Sequence, residues 1–279
     1  MEKFLHYKNI NNGNIAVVSI LHHGHLYNKY INYIDKVIQN HKTFADVNGF
    51  DYFLFNSEIN NEYNLYDKDF NGPDICLGMS KWYAVNHLFK NSDYQGILFV
   101  DYDSCFLKFE NFKVPQSTCL SPVYGTPYYD AVLLLYYCLA KGITYKTFVD
   151  NTRAHKYNSG FMFINRDFFR EPELDDYVEF SKQVFYDVNN NTDTWISQGN
   201  FDYTSIMNHT NITLTPFDEV FLMYNIIKNN HEPIDIFDTE IYNVNNMNMV
   251  TDQTQHIHFC RRRTLFSRNS KTTGIFKNS

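Results

Sequence analysis

Two aspartates one residue apart, Asp101 and Asp103, close the segment "GILFVDYD". An apolar strand running straight into two ionised groups is unfavourable on two counts, since the carboxylates repel each other and resist desolvation. Side chains at i and i+2 of a strand share a face, so the pair is expected to converge. A divalent cation between them would relieve the repulsion, and hard carboxylate oxygens suit Mn²⁺ or Mg²⁺. Such an ion binds a diphosphate and stabilises the charge that develops as the diphosphate leaves. Asp-X-Asp alone matches by chance in many proteins, where it is a pair of solvated loop acids. The strand in front of it favours the metal.

The elements that must position this pair read as an open α/β sheet. "NIAVVSIL" (Asn14 to Leu21) is a β-branched run and predicts a buried first strand. From Leu26, apolar residues recur at Tyr30, Ile31, Ile34, Val37 and Ile38, which is helical spacing. That helix is expected to reach Val47 and stop at Asn48-Gly49. Phe50 to Phe55 predicts a second strand. After a loop rich in Asn, Asp and Gly, a helix beyond Pro73 carries Trp82, Val85, Leu88 and Phe89 on one side and ends near Asn91-Ser92. Gly96 to Val100 is the third strand. Ligands of such sheets sit beyond the carboxyl ends of the strands, where Asp101 and Asp103 lie. Farther on, a strand is expected from Phe161 to Ile164, entered through the turn-like Asn158-Ser159-Gly160. Glu173 to Tyr186 reads as helical, and "TQHIHFCRR" as one more short strand. With no repeat and no linker, one domain is the economical reading.

Composition narrows the class. The chain has 279 residues, 44% hydrophobic and 20% charged, which is ordinary for a globular protein. Its 22 Tyr and 25 Phe suggest an aromatic core more than a Tyr-lined binding surface. A net charge of −7 argues against a general nucleic-acid binder. Residues 261–279 form a basic tail with no acid, and part of it is a candidate phosphate contact. Five cysteines without a CxxC pair read as reduced thiols rather than a zinc site. The longest apolar stretch, Ala131 to Ala140, is too short for a bilayer. The N-terminus lacks the apolar stretch of a secretory signal. The expected location is cytoplasmic.

Four blocks carry a resemblance. "IQNHKTFADVNGFDYFLFN", "MSKWYAVNHLFKNSDYQGILFVDYDS", "YNSGFMFINRDF" and "IHFCRRR" are similar, in this order, to blocks of the galactosyl/mannosyl/xylosyltransferase family. The third also resembles glycogenin-like transferases. The resemblance implies a single GT-A glycosyltransferase domain, a Rossmann-like α/β fold with a mixed, mostly parallel sheet. Residues 14–104 would be the nucleotide-binding half and 105–260 the acceptor and sugar half. It implies a retaining transfer of a hexose from a UDP-sugar to a hydroxyl of a glycan or glycoprotein, with Mn²⁺ or Mg²⁺ as cofactor. A homodimer fits such a chain, and the missing anchor fits a bacterial or viral enzyme.

The same resemblance implies the roles of single residues. Asp103 would bind the metal, Asp101 the metal or the ribose, and His258 would be the third protein ligand, with His256 as its fallback. Ser19, Leu21, Lys81 and Tyr102 would border the donor; Asn158 and Gly160 would border the transferred sugar. Where the family has Gly-Cys-Lys after its His-Phe pair, this chain has Cys260-Arg261-Arg262-Arg263. Arg263 has the matching offset for the diphosphate, and its neighbours are alternatives. The family's acidic-Gln pair ahead of an apolar helix is matched to Asp202-Tyr203, with Asp202 and Asn158 as catalytic candidates. "HHGH" (His22 to His25) reads as a nucleotide-site loop or plain surface. Two rival readings stand beside the transferase: a HAD-like phosphatase using the Asp101/Asp103 pair, and a non-catalytic nucleotide-sugar-binding protein.

Overall fold

Six consecutive buried residues, Ala16 to Leu21, dictate the architecture, because a strand buried on both faces must lie inside a sheet covered on both sides. In the computed structural model this strand is β2 (Ile15–Leu21). It pairs in parallel with β3 (Asp51–Asn56) on one edge and β4 (Gly96–Val100) on the other. The structure describes residues 4–9, 13–21, 25–56, 73–123, 138, 141–143, 156–169, 174–180, 217–228, 234–244 and 249–258. Parallel neighbours need crossovers. These are α1 (His25–Asn48) between β2 and β3, and α2 (Pro73–Asn91) between β3 and β4. Helix α1 stops at Gly49, whose φ of 73° is left-handed and lets the Phe50 amide donate back to the Ala45 carbonyl at 2.9 Å.

Four more strands complete the sheet. β1 (Phe4–Tyr7) lies antiparallel to β3, and β7 (Lys156–Asn165) antiparallel to β4. β6 (Thr118–Val123) then runs antiparallel to β7, and β8 (Ile234–Ile236) parallel to β6. The order is β1-β3-β2-β4-β7-β6-β8, and only β1 and β7 oppose the other five strands. This is the Rossmann-like α/β arrangement with a mixed, mostly parallel sheet. A separate two-stranded sheet pairs β5 (Ser104–Phe106) with β9 (His256–His258), antiparallel.

Alternation across the pleat feeds two cores. Ala16, Val18, Ile20, Ile97 and Phe99 pack with Trp82 and Leu88 of α2 and with Phe221 of α3 (Phe217–Lys228). Val17, Leu98 and Val100 face the other way, toward Ile34 and Phe44 of α1 and Phe106 of β5. The aromatic content is core content: Trp82 stacks on Phe169 at 5.8 Å and meets Phe221 edge-on at 5.4 Å. Cys105, Cys119 and Cys138 are free and buried, and burial pushes each thiol up to about 12. Among the described residues, no helix is long and apolar enough to cross a membrane.

Two local expectations need correcting. Asn158-Ser159-Gly160 is not the turn that leads into a strand; it lies inside β7, which begins at Lys156. Its turn-like composition has another cause. The β6–β7 register slips between Leu120 and Ser121, from Leu120 opposite Met162 to Ser121 opposite Asn158, so the intervening residues of β7 bulge out of the ladder. Asp101 and Asp103, for their part, do not converge by strand alternation. They sit in the turn between β4 and β5. Of the helix expected over 173–186, residues 174–180 are helical and the remainder lies outside the described residues.

Candidate metal and donor site

Strand β4 delivers five fully buried residues to Asp101, and the chain then turns through Tyr102 and Asp103 into β5. The turn is pinned by Ser104, whose hydroxyl donates to the Asp101 carbonyl at 2.7 Å. Strand β9 lies on β5 with His258 opposite Ser104, which sets the imidazole over the turn. His258 Nε2 is 3.6 Å from Asp101 Oδ2 and 3.4 Å from Asp103 Oδ1. One ligand atom from each of the three residues lies within 4.8 Å of the others. Oxygen and nitrogen ligands at about 2.0–2.2 Å from one ion stand roughly 3–3.6 Å apart, so this set fits a divalent cation. Two carboxylates with one imidazole admit Mn²⁺ on donor chemistry.

Gly160 gives the site its room. A Cβ there would fall 2.5 Å from His258 Cε1 and 2.6 Å from Asp101 Oδ2. The bulge in β7 brings this glycine against Asp101 and His258, and its carbonyl accepts from the Asp101 amide at 2.8 Å. The groups that crowd Gly160 are thus the side chains of Asp101, His258 and Asn158.

Lys81 is buried beside the triad. Its Nζ lies 2.7 Å from Asp218 Oδ2 and 3.7 Å from Asp101 Oδ1, and it donates to Ser159 Oγ at 2.9 Å. Ser159 Oγ in turn bonds Asp218 Oδ2. Burial alone would lower the Lys81 pKa, but Asp101 and Asp218 hold it above the ordinary lysine range. For Asp218 burial pulls upward, and Lys81 and Ser159 overcome it and keep the carboxyl below the usual range. Asp101 goes the other way: burial raises it, Asp103 adds repulsion, and Lys81 only partly compensates. A carboxylate whose charged form is disfavoured in this way is one that a bound cation would relieve.

Asp218 and Glu219, in the first turn of α3, are site neighbours not singled out from the sequence. Glu219 Oε1 accepts from Asn158 Nδ2 at 3.1 Å, while Asn158 Oδ1 accepts from the Gly160 amide at 2.8 Å and from Asn243 Nδ2 at 3.5 Å. An acidic pair opening an apolar helix was visible in "FDEVFLMYNIIK", and it is the pattern assigned above to Asp202-Tyr203. Asp202 and Arg263, with Arg261 and Arg262, lie outside the described residues, as do His22 to Gly24 of the histidine cluster.

The structure brings Lys81, Asp101, Asp103, Asn158, Gly160 and His258 together, with Tyr102 between the two aspartates. It does not bring Ser19 there. Ser19 is buried in β2 and shares a 3.0 Å hydrogen bond with His41, and Leu21 lies in the second core at the end of that strand. His256 is a core histidine, stacked on Phe161 at 4.1 Å, with burial holding its pKa well below 6.5.

No protein-family model matches the chain, and no curated protein matches it. Among solved structures, a glycosyltransferase involved in the glycosylation of the major capsid of PBCV-1 is similar, with a TM-score of 0.42 and 9% identity. The match covers 95% of this chain and 97% of that one.

Proposed function

We propose that the protein is a metal-dependent, retaining glycosyltransferase that moves a hexose from a UDP-sugar to a hydroxyl of a glycan or glycoprotein. The observation that carries this reading is the meeting of Asp101, Asp103 and His258 beyond the carboxyl end of β4. Residues more than 150 positions apart in sequence converge on one ion-sized space, where an open α/β sheet binds its ligands. The resemblance of four ordered sequence blocks points the same way. Mn²⁺, or Mg²⁺, bound there would neutralise the charge that develops on the departing diphosphate.

The chain's own residues divide the remaining work. Asp101 and Asp103 supply oxygen ligands and His258 a nitrogen. Lys81 keeps Asp218 ionised and offsets part of the cost of charging Asp101 beside it. Asn158, fixed through its carboxamide by Glu219 and the Gly160 amide, presents the sugar-facing edge of β7, with Asp218 and Glu219 as the acids nearest to it. Residues 14–104 then form the nucleotide half, with Tyr102 and the end of β2 at Leu21 against the nucleoside. The Ser19 hydroxyl, engaged by His41, supports that strand from within. Asp202 and Arg263 keep their assigned roles in this proposal, the latter at the diphosphate.

The test is hydrolysis of UDP-hexoses by the purified protein without acceptor. Slow turnover of one of them, abolished by EDTA and restored by Mn²⁺, is the expected result. Equal turnover in EDTA would remove the metal from the mechanism. Binding of UDP and Mn²⁺ with no turnover of any sugar nucleotide, even with acceptors supplied, would favour the non-catalytic reading. Release of phosphate from simple phosphomonoesters would favour the phosphatase.

A further inference from the structure

The metal ligands are set by two sheets. Asp101 immediately follows β4 of the large sheet, whereas Asp103 immediately precedes β5 and His258 ends β9, the two strands of the small sheet. The geometry of the site therefore depends on how the small sheet is docked. One edge of β5 is satisfied by β9, as the Leu107 amide donating to the Gln255 carbonyl at 2.8 Å illustrates. The other edge is served by side chains of α1. Asn40 Nδ2 donates to the Phe106 carbonyl at 2.9 Å, and Asn40 Oδ1 accepts from the Phe106 amide at 2.8 Å. One carboxamide thus imitates a neighbouring strand. The next residue, His41, lies 3.0 Å through Nε2 from the Ser104 carbonyl and 3.0 Å through Nδ1 from Ser19 Oγ in β2. A carbonyl can only accept, so Nε2 carries the proton and Ser19 donates to Nδ1. Ser104 passes the contact on by donating to the Asp101 carbonyl. Stacking of Phe44 on Phe106 at 3.6 Å fixes the spacing between helix and sheet.

From this geometry we infer that Asn40 and His41, on a helix that supplies no ligand, are positioning residues for the metal site: they hold β5, and with it Asp103 and the strand bearing His258, at the distance from Asp101 that binding one cation requires. The inference rests on the metal reading above. A merely structural role would lower stability and leave the cation's affinity in the folded protein alone. A positioning role moves the affinity itself, because ligand atoms a fraction of an ångström out of place share an ion poorly, and loss of groups that orient ligands weakens metal sites roughly ten- to a hundredfold.

The experiment is titration of Mn²⁺ into the full chain, followed by calorimetry and by the electron paramagnetic resonance of free Mn²⁺, well below every variant's melting temperature. Wild type is expected to bind one Mn²⁺, and Asp103→Asn to lose it. Asn40→Ala and His41→Phe should weaken binding roughly ten- to a hundredfold. His41→Gln, whose amide can still donate to the Ser104 carbonyl, should stay near wild type. Tyr94→Phe, which removes a hydrogen bond to Asp51 at the opposite end of the sheet, should lower the melting temperature with Mn²⁺ affinity unchanged. Asn40 is only partly buried on a helix, so Asn40→Ala decides the matter even if His41→Phe does not fold. Unchanged affinity in Asn40→Ala, with binding still lost in Asp103→Asn, would overturn the positioning role and leave the metal site standing. No Mn²⁺ binding by wild type would overturn both.

Discussion

Gly160 shows how little space separates a working site from a blocked one. The methyl of an alanine would sit 2.5 Å from His258 Cε1, 2.6 Å from Asp101 Oδ2 and 2.8 Å from Asn158 Oδ1. Two of these atoms belong to the candidate metal ligands His258 and Asp101 and the third orients the Gly160 amide, so relief must come from moving those side chains or the bulge. Gly160→Ala is expected to fold and to lose Mn²⁺ affinity roughly tenfold or more, as do other changes that misplace ligands. Titration of Mn²⁺ into the variant checks this, and wild-type affinity would show that the bulge yields instead. The family resemblance of the sequence implied that this glycine borders the transferred sugar. It could not say that the crowding groups are residues 101 and 258, because that contact exists only after β7 and β9 have docked.

Between elements, the central contact is Lys81, which joins α2 to the first turn of α3 and to the end of β4. Side-chain exposure of Lys81 and Asp218 is 9% and 12%, so removing one partner leaves the other charged in a poor solvent. Lys81→Met should destabilise the protein by about 3 kcal/mol, the cost typical of breaking a buried pair. Asp218→Asn in the same chain should recover part of that loss. Urea unfolding of the two single variants and the double would show this coupling, and strictly additive losses would mean the pair is electrostatically idle. The elements themselves were unevenly legible. Strands β2, β3 and β4 and helices α1 and α2 declared themselves through apolar runs and helical spacing, because burial on both sides leaves no choice of residue. Strands β5 and β8 are only three residues long, and β6 contains Pro122 and Ser121; their pairing is dictated by neighbours rather than by composition. For the site, Asp101, Asp103 and His258 could be read from a strand end and a closing motif. The role of Asp218 and Glu219 depends on α3 packing against α2, where Trp82 Nε1 donates to the Asp218 carbonyl at 3.0 Å, and no local pattern encodes that.

At the scale of the whole molecule, the buried histidine that ties α1 to both sheets makes folding itself sensitive to acid. Burial lowers the His41 pKa from 6.5 to about 4, despite the Ser104 carbonyl and the negative charge of Asp103 pulling the other way. Above pH 6.5 the imidazole is neutral in both the folded and the unfolded chain and adds no pH dependence. As the pH falls from 6.5 toward 4, the unfolded chain takes up a proton that the folded one refuses, so stability drops. Below 4 both forms carry the proton and the effect ends. The gap corresponds to about 3 kcal/mol at most, at roughly 1.4 kcal/mol per pKa unit. His256, also held neutral by burial, acts in the same sense. Asp101, whose carboxyl is raised by burial, acts in the opposite sense above pH 3.8, so the slope of wild type alone is ambiguous. The difference between wild type and His41→Gln is not, since Gln keeps a donor for Ser104 but binds no proton. Urea unfolding of both at pH 7, 5.5 and 4.5, without metal, should show wild type losing ground to the variant at each step down. Parallel curves would mean that His41 takes up its proton inside the folded protein, and that the α1 contact to β5 survives a charged imidazole.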